Sequence, residues 1–401
     1  MKICVTGPIA TQDVMHLLHA VPAISPVGYI GAPLTAVLME QLLALGHEVV
    51  GITVDYTLPA HSAPVVLRGV RFTFVVLPGR RRAWRFNGGS LGRVMDLFRH
   101  ERQAIAQAVA DAACDVVHAH WTYEFALGAL DSGTPHVITA HDCPKQVLKY
   151  TRSPYRALRW LMAREALAKA GTVTAVSDYM ARRVQPMARV PVAVVPNPVA
   201  GHVLARGQAR VAPRGLCVGM VCNGWGVLKN PKPALHAFAK LRRRLPTAEL
   251  HVFGTDFGPG ERAQDWAQAK HCAGGVIFHG AVSHRLLIAS LAGMDLLLHP
   301  ALEESFGVVV AEAMALGLPV VAGADSGAVA WVAGPGQWLC DVSSADAIFE
   351  ALSDALEDAT AYGLASHAGR QRVQATFSPQ AVAAAYVGAY AAAISGQNSR
   401  R

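Results

Sequence analysis

The chain has 401 residues, 52% of them hydrophobic and 16% charged, and carries a net charge of +8. That is too long for one core of ordinary size and apolar enough to fill two, which excludes a single-core domain. Seven cysteines without C-x-x-C or His-paired spacing exclude a disulfide framework and a patterned metal site, and they predict reduced thiols in a cytoplasmic protein.

The start, MKICVTGP, reads as a strand ending at Gly7-Pro8, too short for a secretory apolar region. A Gly loop, a helix and a strand follow in PVGYIGAPLTAVLMEQLLALGHEVV. Leu34, Val37, Leu38, Leu42 and Leu45 share one helical face, and Gly46 stops the helix. Further strands are predicted at 70–76, 115–120, 136–141, 172–177 and 192–197, with helices in most gaps, as crossovers of a parallel sheet require. The stretch 196–215 reads as a linker. A second series then opens near residue 215, with strands in GLCVGMVCNG, AELHVFG, VIFHGAV, LLLHP and LPVVAG. The fold class expected is α/β, two doubly wound Rossmann-like halves. The first covers 1–200, the second 201–378, and a C-terminal helix at 379–401 crosses back to the first. Ligands of such sheets lie beyond the carboxyl ends of the strands, here in a central cleft that the halves face. No run of about 18 apolar residues escapes interruption by an acid or a turn, so nothing is predicted to span a membrane.

The positive charge is concentrated. Residues 79–102 hold seven Arg against two acids, and 151–164 hold four Arg and no acid; the rest of the chain is close to neutral. Trp84, Phe86, Leu97, Phe98, Tyr155, Leu158, Trp160 and Leu161 are interleaved with these arginines. Two readings stand open: a surface for anionic lipid headgroups or a phosphorylated acceptor, or the solvated faces of ordinary helices. No recognisable module for nucleic acid accompanies the charge.

The most informative stretch is HPALEESFGVVVAEAMALGLPVVAGADSGA, 299–328. Ser305 is placed as an N-cap, Gly307 lets a ligand approach the backbone, and an apolar helix over 308–316 ends at Gly317 and Pro319. Glu304 and Glu312 bracket the start of that helix. Its first N–H groups attract anions, while the flanking carboxylates suit hydroxyls. A ligand with both is a nucleotide sugar.

This stretch resembles the E-x7-E donor site of the retaining glycosyltransferases with the GT-B fold, of the group 1 and family 4 type. The resemblance implies that Glu304 reads the transferred sugar, Ser305, Phe306, Gly307 and Val308 line the diphosphate, and Glu312 holds the ribose. Gly31, with Gly28, resembles the N-terminal glycine loop near the donor phosphates, though the adjacent Gly-Gly is missing. In His118-Ala-His120-Trp121, His120 matches the position facing the donor sugar and reaction centre, with His141 behind it. Lys229 matches a cation that clamps the diphosphate, but Asn223, Gly224 or Trp225 stands where the family carries an arginine. Ser177 and Asn197 match lesser patterns. No metal-ligating D-x-D is apparent. The activity implied is metal-independent transfer, with retention, from a nucleoside-diphosphate sugar to the hydroxyl of a sugar, lipid-linked or small-molecule acceptor. It needs no cofactor, and it places the protein in the cytoplasm or at the inner face of the cell membrane. The alternatives are a nucleotide-sugar epimerase or hydrolase, for which Asp142 is the nearby acid–base candidate, and a donor-binding subunit without catalysis.

Overall fold

A computed structural model describes residues 1–20, 25–87 and 90–398. The chain folds as two compact units, 1–198 with 379–401, and 199–378.

The first unit is built on eight strands: β1 (Lys2–Thr6), β2 (Glu48–Asp55), β3 (Val65–Gly69), β4 (Phe72–Pro78), β5 (Val116–His120), β6 (His136–Ala140), β7 (Val173–Ala175) and β8 (Val192–Val194). Their order is β3-β4-β2-β1-β5-β6-β7-β8, parallel throughout except for β3, which turns back on β4. β2 and β5 are continuous buried runs, as strands covered on both faces must be. The sequence reading missed β3. It is a short edge strand with mixed exposure, including Val66 at 47%, so neither alternation nor an apolar run marks it.

The helix Pro33–Ala44 packs through Thr35, Ala36, Leu38, Met39 and Leu42, while Leu45 caps it and is exposed. The buried stripe is thus rotated from the one expected. The helix is apolar nearly all round, so sequence periodicity left the choice of face to the neighbours. One of those neighbours is the C-terminal helix Pro379–Asn398. It places Val382, Ala383, Tyr386, Tyr390 and Ala393 in the core of the first unit.

The second unit has six strands: β9 (Cys217–Val221), β10 (Glu249–Phe253), β11 (Val276–Gly280), β12 (Leu296–His299), β13 (Val320–Gly323) and β14 (Trp338–Cys340). All are parallel, in the order β11-β10-β9-β12-β13-β14. That is the doubly wound order of a Rossmann-like sheet, with the winding direction reversing between β9 and β12.

The stretch 196–215 is not a free linker. Its helix Gly201–Arg206 buries Val203, and Arg210 is 7% exposed. The Arg210 guanidinium donates to the carbonyls of Met294 and Ala292, and the Arg210 N–H donates to Ser366 Oγ at 2.9 Å. A buried arginine must find acceptors, and those acceptors tie this segment into the second unit.

Part of the concentrated positive charge is also internal. Arg80 is 2% exposed and bridges Glu101 Oε2 at 2.6 Å and Asp96 Oδ2 at 2.7 Å. Arg159 is buried against Glu124 and over the Tyr123 ring, 3.7 Å from its centroid. These two arginines brace the first unit and offer nothing to an outside partner. No described helix is long and apolar enough to cross a membrane.

Candidate active site

In the second unit the winding reversal determines where side chains converge. Loops leaving the carboxyl ends of β9 and β12 diverge to opposite faces of the sheet, which opens a crevice between them. The loop after β9 delivers Lys229, and the loop after β12 delivers Glu304. Lys229 Nζ donates to Glu304 Oε1 at 2.6 Å, with the two side chains 33% and 19% exposed.

The backbone on both sides is restrained. Leu302 N–H donates to the Leu228 carbonyl at 2.8 Å, which joins the two loops. Glu304 N–H donates to Ser326 O, and the Ala328 N–H donates to Glu304 O at 2.9 Å, forming a bridge to the segment after β13. Asn230 Nδ2 donates to the carbonyls of Pro300 and Val342. Trp225, in the expected arginine region, has its N–H held by Asp256 Oδ2 at 2.8 Å and its ring beside Trp266 and Phe257. That position is therefore an aromatic anchor for the loop and supplies no cation.

His299 lies behind the pair. Its Nε2 is 3.7 Å from Glu304 Oε1, and neither ring nitrogen has a hydrogen-bond partner. Burial pushes its pKa down, against the pull of Glu304. It is a neutral imidazole whose donor and acceptor remain unused. The sequence reading had it only as a flanking residue of the motif.

The helix after Glu304 runs Val308–Ala315, and its N-cap is Gly307 at φ 88°, not Ser305. A left-handed residue is needed there to turn the chain from the Glu304 segment into the helix, and glycine takes that conformation without strain. Val310 and Ala311 N–H groups donate back to Gly307 O, so the N–H groups of Gly307, Val308 and Val309 precede the helical ladder. Phe306 is 2% exposed and packs its ring on Phe377 and Trp331. Any contact it makes with a diphosphate is through its backbone. Glu312 sits one turn into the helix at 4% exposure, with His284 Nε2 at 2.7 Å from its Oε1. That hydrogen bond raises the His284 pKa, with burial opposing. His284 escaped the sequence reading because it lies 28 residues from its partner, at the first position of the helix His284–Leu291, where no motif marks it.

In the first unit the corresponding reversal lies between β1 and β5. His120 closes β5 at 3% exposure, and its Nδ1 is 2.8 Å from His141 Nε2. Its own Nε2 has no partner. His118, two residues earlier on the same face, bonds Tyr390 Oη at 2.8 Å and Thr139 Oγ1 at 2.7 Å. The His118 and His120 rings are 4.1 Å apart. A Cβ on Gly7, at the end of β1, would stand 3.0 Å from His120 Cβ, so the imidazole approaches the backbone there.

Gly28 is a turn residue at φ 72°, and a Cβ there would meet the Ile9 carbonyl at 2.6 Å. Its N–H donates to Asp55 Oδ2 at 3.0 Å, a fold role that the sequence did not separate from phosphate binding. Gly31 is exposed and lies against the Trp121 ring. Ser177 caps the helix Asp178–Val184. Asp142 accepts from Tyr123 Oη at 2.8 Å, and burial raises its pKa.

Two doubly wound α/β units, one with a lysine–carboxylate pair beside a glycine-started helix at its winding reversal, define the GT-B class of fold. Residues 34–200 match the family described as Glycosyltransferase Family 4, and residues 227–372 match Glycosyl transferases group 1. The chain belongs to these glycosyltransferase families and is a glycosyltransferase. Among solved structures it is similar to a sucrose-phosphate synthase from Thermosynechococcus elongatus, at 18% identity and TM-score 0.73, covering 98% of this chain and 99% of that one. It is also similar to the E. coli trehalose-6-phosphate protein bound with UDP-2-fluoro glucose, at 12% identity, TM-score 0.66 and 97% and 99% coverage. A third is a trehalose-6-phosphate synthase studied for glycosyltransfer with retention, at 12%, 0.67, 98% and 99%. No curated protein matches the sequence.

The histidine cluster gives a testable pH dependence. Burial holds His118 down to about 3 and His141 to about 4, and it pushes His120 well below the usual range, helped by its neighbours. All three stay neutral when folded and take up protons on unfolding. Their contribution is complete above about pH 6.5 and is lost as pH falls towards the folded values, by up to about 1.4 kcal/mol per pH unit for each. Melting temperature should fall between pH 7.5 and 4.5, and less steeply in His118→Gln than in wild type. Parallel profiles would assign the acid loss to other groups.

Proposed function

We propose that this glycosyltransferase moves a sugar, with retention, from a nucleoside-diphosphate sugar to an acceptor hydroxyl. The carrying observation is the Lys229–Glu304 pair beside the N-terminus of the helix Val308–Ala315. The donor has one anionic part and one hydroxyl-rich part, and this crevice offers a cation, unsatisfied N–H groups and a carboxylate. On donor binding, the Lys229 ammonium and the N–H groups of Gly307, Val308 and Val309 take the diphosphate. Glu304, relieved of its lysine, accepts from sugar hydroxyls. Glu312, a turn further on, accepts from the ribose hydroxyls in place of His284.

In the reaction the bond from the anomeric carbon to the phosphate oxygen breaks, and the leaving diphosphate takes the electron pair. The acceptor oxygen bonds to the same carbon on the same face, and its proton passes to the departing phosphate oxygen. Lys229 and the helix terminus stabilise the charge that accumulates on that leaving group. Glu304 stabilises the oxocarbenium-like sugar electrostatically, without forming a covalent bond. His120 offers its unpartnered Nε2 to a sugar hydroxyl. These charges neutralise the diphosphate without a metal, and no cofactor is required. An epimerase or hydrolase reading draws on the raised pKa of Asp142. Free sugar in place of a glycoside among the products would favour it.

A peripheral contact with anionic membrane is supported by the exposed part of the basic stretches. Arg81, Arg82, Arg85 and Arg99 are exposed with Trp84, Phe86 and Met95, and Arg152 and Arg164 with Leu161. Clustered arginines beside exposed apolar rings suit an interfacial surface. Co-sedimentation with anionic vesicles should occur at low salt and be lost at high salt. Indifference to vesicles at low salt would remove the membrane from the reading.

The donor is tested by thermal-shift titration with a panel of nucleotide sugars, with and without EDTA. One donor should raise the melting temperature in both conditions; a shift that EDTA abolishes and Mg²⁺ or Mn²⁺ restores would overturn metal independence. Glu304→Ala should lower turnover about 100-fold or more while nucleoside-diphosphate binding survives. Lys229→Ala should weaken that binding about 10-fold or more. Normal turnover in the first variant, or unchanged affinity in the second, would place the reaction elsewhere.

A further inference from the structure

The six-stranded sheet carries a second cluster of chemistry-bearing side chains, near the opposite ends of its strands from Lys229 and Glu304. Cys217 opens β9 and Glu249 opens β10, and the parallel register sets them side by side. His251 lies two residues beyond Glu249, so the pleat carries both side chains on one face. A thiol sulfur, a carboxylate oxygen and an imidazole nitrogen thus come within 4.8 Å of one another, Cys217 and His251 half-buried and the Glu249 carboxylate exposed. His251 Nε2 is 3.3 Å from Glu249 Oε2.

The imidazole is also oriented from behind. His251 Nδ1 is hydrogen-bonded to His279 Nε2 on β11 at 3.0 Å, with the rings stacked at 5.2 Å. His279 in turn stacks on Phe253, centroid to centroid 4.4 Å and almost coplanar at 4°. An outer hydrogen bond of this kind sets the ring plane and tautomer of a ligating histidine and leaves the other nitrogen for a metal. A plain surface ion pair between Glu249 and His251 would need neither the thiol nor the stacked partner.

We infer that Cys217, Glu249 and His251 form a binding site for a zinc-type divalent cation, with His279 as the positioning residue for His251. Thiolate sulfur, imidazole nitrogen and carboxylate oxygen are each donors that zinc takes, and three protein ligands leave a fourth position for water. Bonds of about 2.0–2.3 Å put tetrahedral ligands roughly 3.5 Å apart. The present separations, up to 4.8 Å, have to close to that value on binding. On binding, the Cys217 thiol loses its proton to solvent as the sulfur–metal bond forms. The cation then ties β9 to β10 and, through His279, to β11. It stabilises the second unit and takes no part in the transfer, since the donor crevice lies at the other strand ends.

The test is a Co²⁺ titration of the full chain after chelator treatment and desalting, read by absorption. A thiolate-to-cobalt charge-transfer band should saturate at one equivalent and be displaced by Zn²⁺. Cys217→Ser should abolish the band, and Cys340→Ser should keep it. Glu249→Gln, which preserves shape and serves should Cys217→Ser misfold, should weaken Co²⁺ binding about 10-fold, and His279→Ala by about the same factor. One equivalent of Zn²⁺ should raise the melting temperature of wild type and not of Cys217→Ser. No thiolate band at one equivalent, or a band that survives Cys217→Ser in a folded protein, would overturn the site.

Discussion

Parallel pairing is the constraint from which the rest of this molecule follows. Parallel neighbours cannot be joined by a tight turn, so every connection in the second sheet is a crossover that brings the chain back to the end at which the previous strand began. Winding outward from β9 in one direction and from β12 in the other leaves one place where adjacent connections part. Lys229 and Glu304 arrive there from opposite sides, 75 residues apart in sequence, and meet at 2.6 Å. The backbone bond from Leu302 to Leu228 and the bridge from Glu304 to Gly327 hold the meeting point without a contribution from the side chains themselves. The charges can therefore exchange partners while the frame stays in place.

The pair is only partly covered, as the proposed exchange of partners requires. Two fully buried charges are costly to separate, and removing one partner strands the other. A partly exposed pair is weaker, which suits the proposal that a diphosphate takes the lysine while sugar hydroxyls take the carboxylate. The contrast is Arg80, whose buried guanidinium is held by both Glu101 and Asp96. The same distinction separates Arg159 from the exposed arginines around Trp84 and Phe86. A count of charges along the chain merges bracing arginines with surface ones; burial sorts them.

The first unit solves a different problem. Three imidazoles in a buried strand-end cluster are tolerated because most of their nitrogens find neutral partners in Tyr390, Thr139 and each other. Each stays uncharged, since a proton would have to be carried into a site without a facing carboxylate. The C-terminal helix supplies Tyr386 and Tyr390 to this cluster, so the last segment of the chain finishes the environment of a residue near its first third. Among the described residues, the buried nitrogen of this cluster without a partner is His120 Nε2.

Much of this was legible in the residues. The alternation of apolar runs with helical stretches placed most strands, and Glu304, Gly307 and Glu312 marked the helix start from local chemistry alone. What was misread shares one cause. The N-cap at Gly307 rather than Ser305, the rotated face of Pro33–Ala44 and the packing found within the expected linker 196–215 all depend on how the chain is placed against its neighbours. β3 and β14 are too short or too exposed for periodicity to register. The sequence by itself determined the order and type of the elements, because backbone period and turn chemistry act over a few residues. Only the tertiary structure decided which carboxylate met which cation or imidazole, Glu304 with Lys229 and Glu312 with His284. Those partners are chosen by strand order and register, which join residues with no local relation.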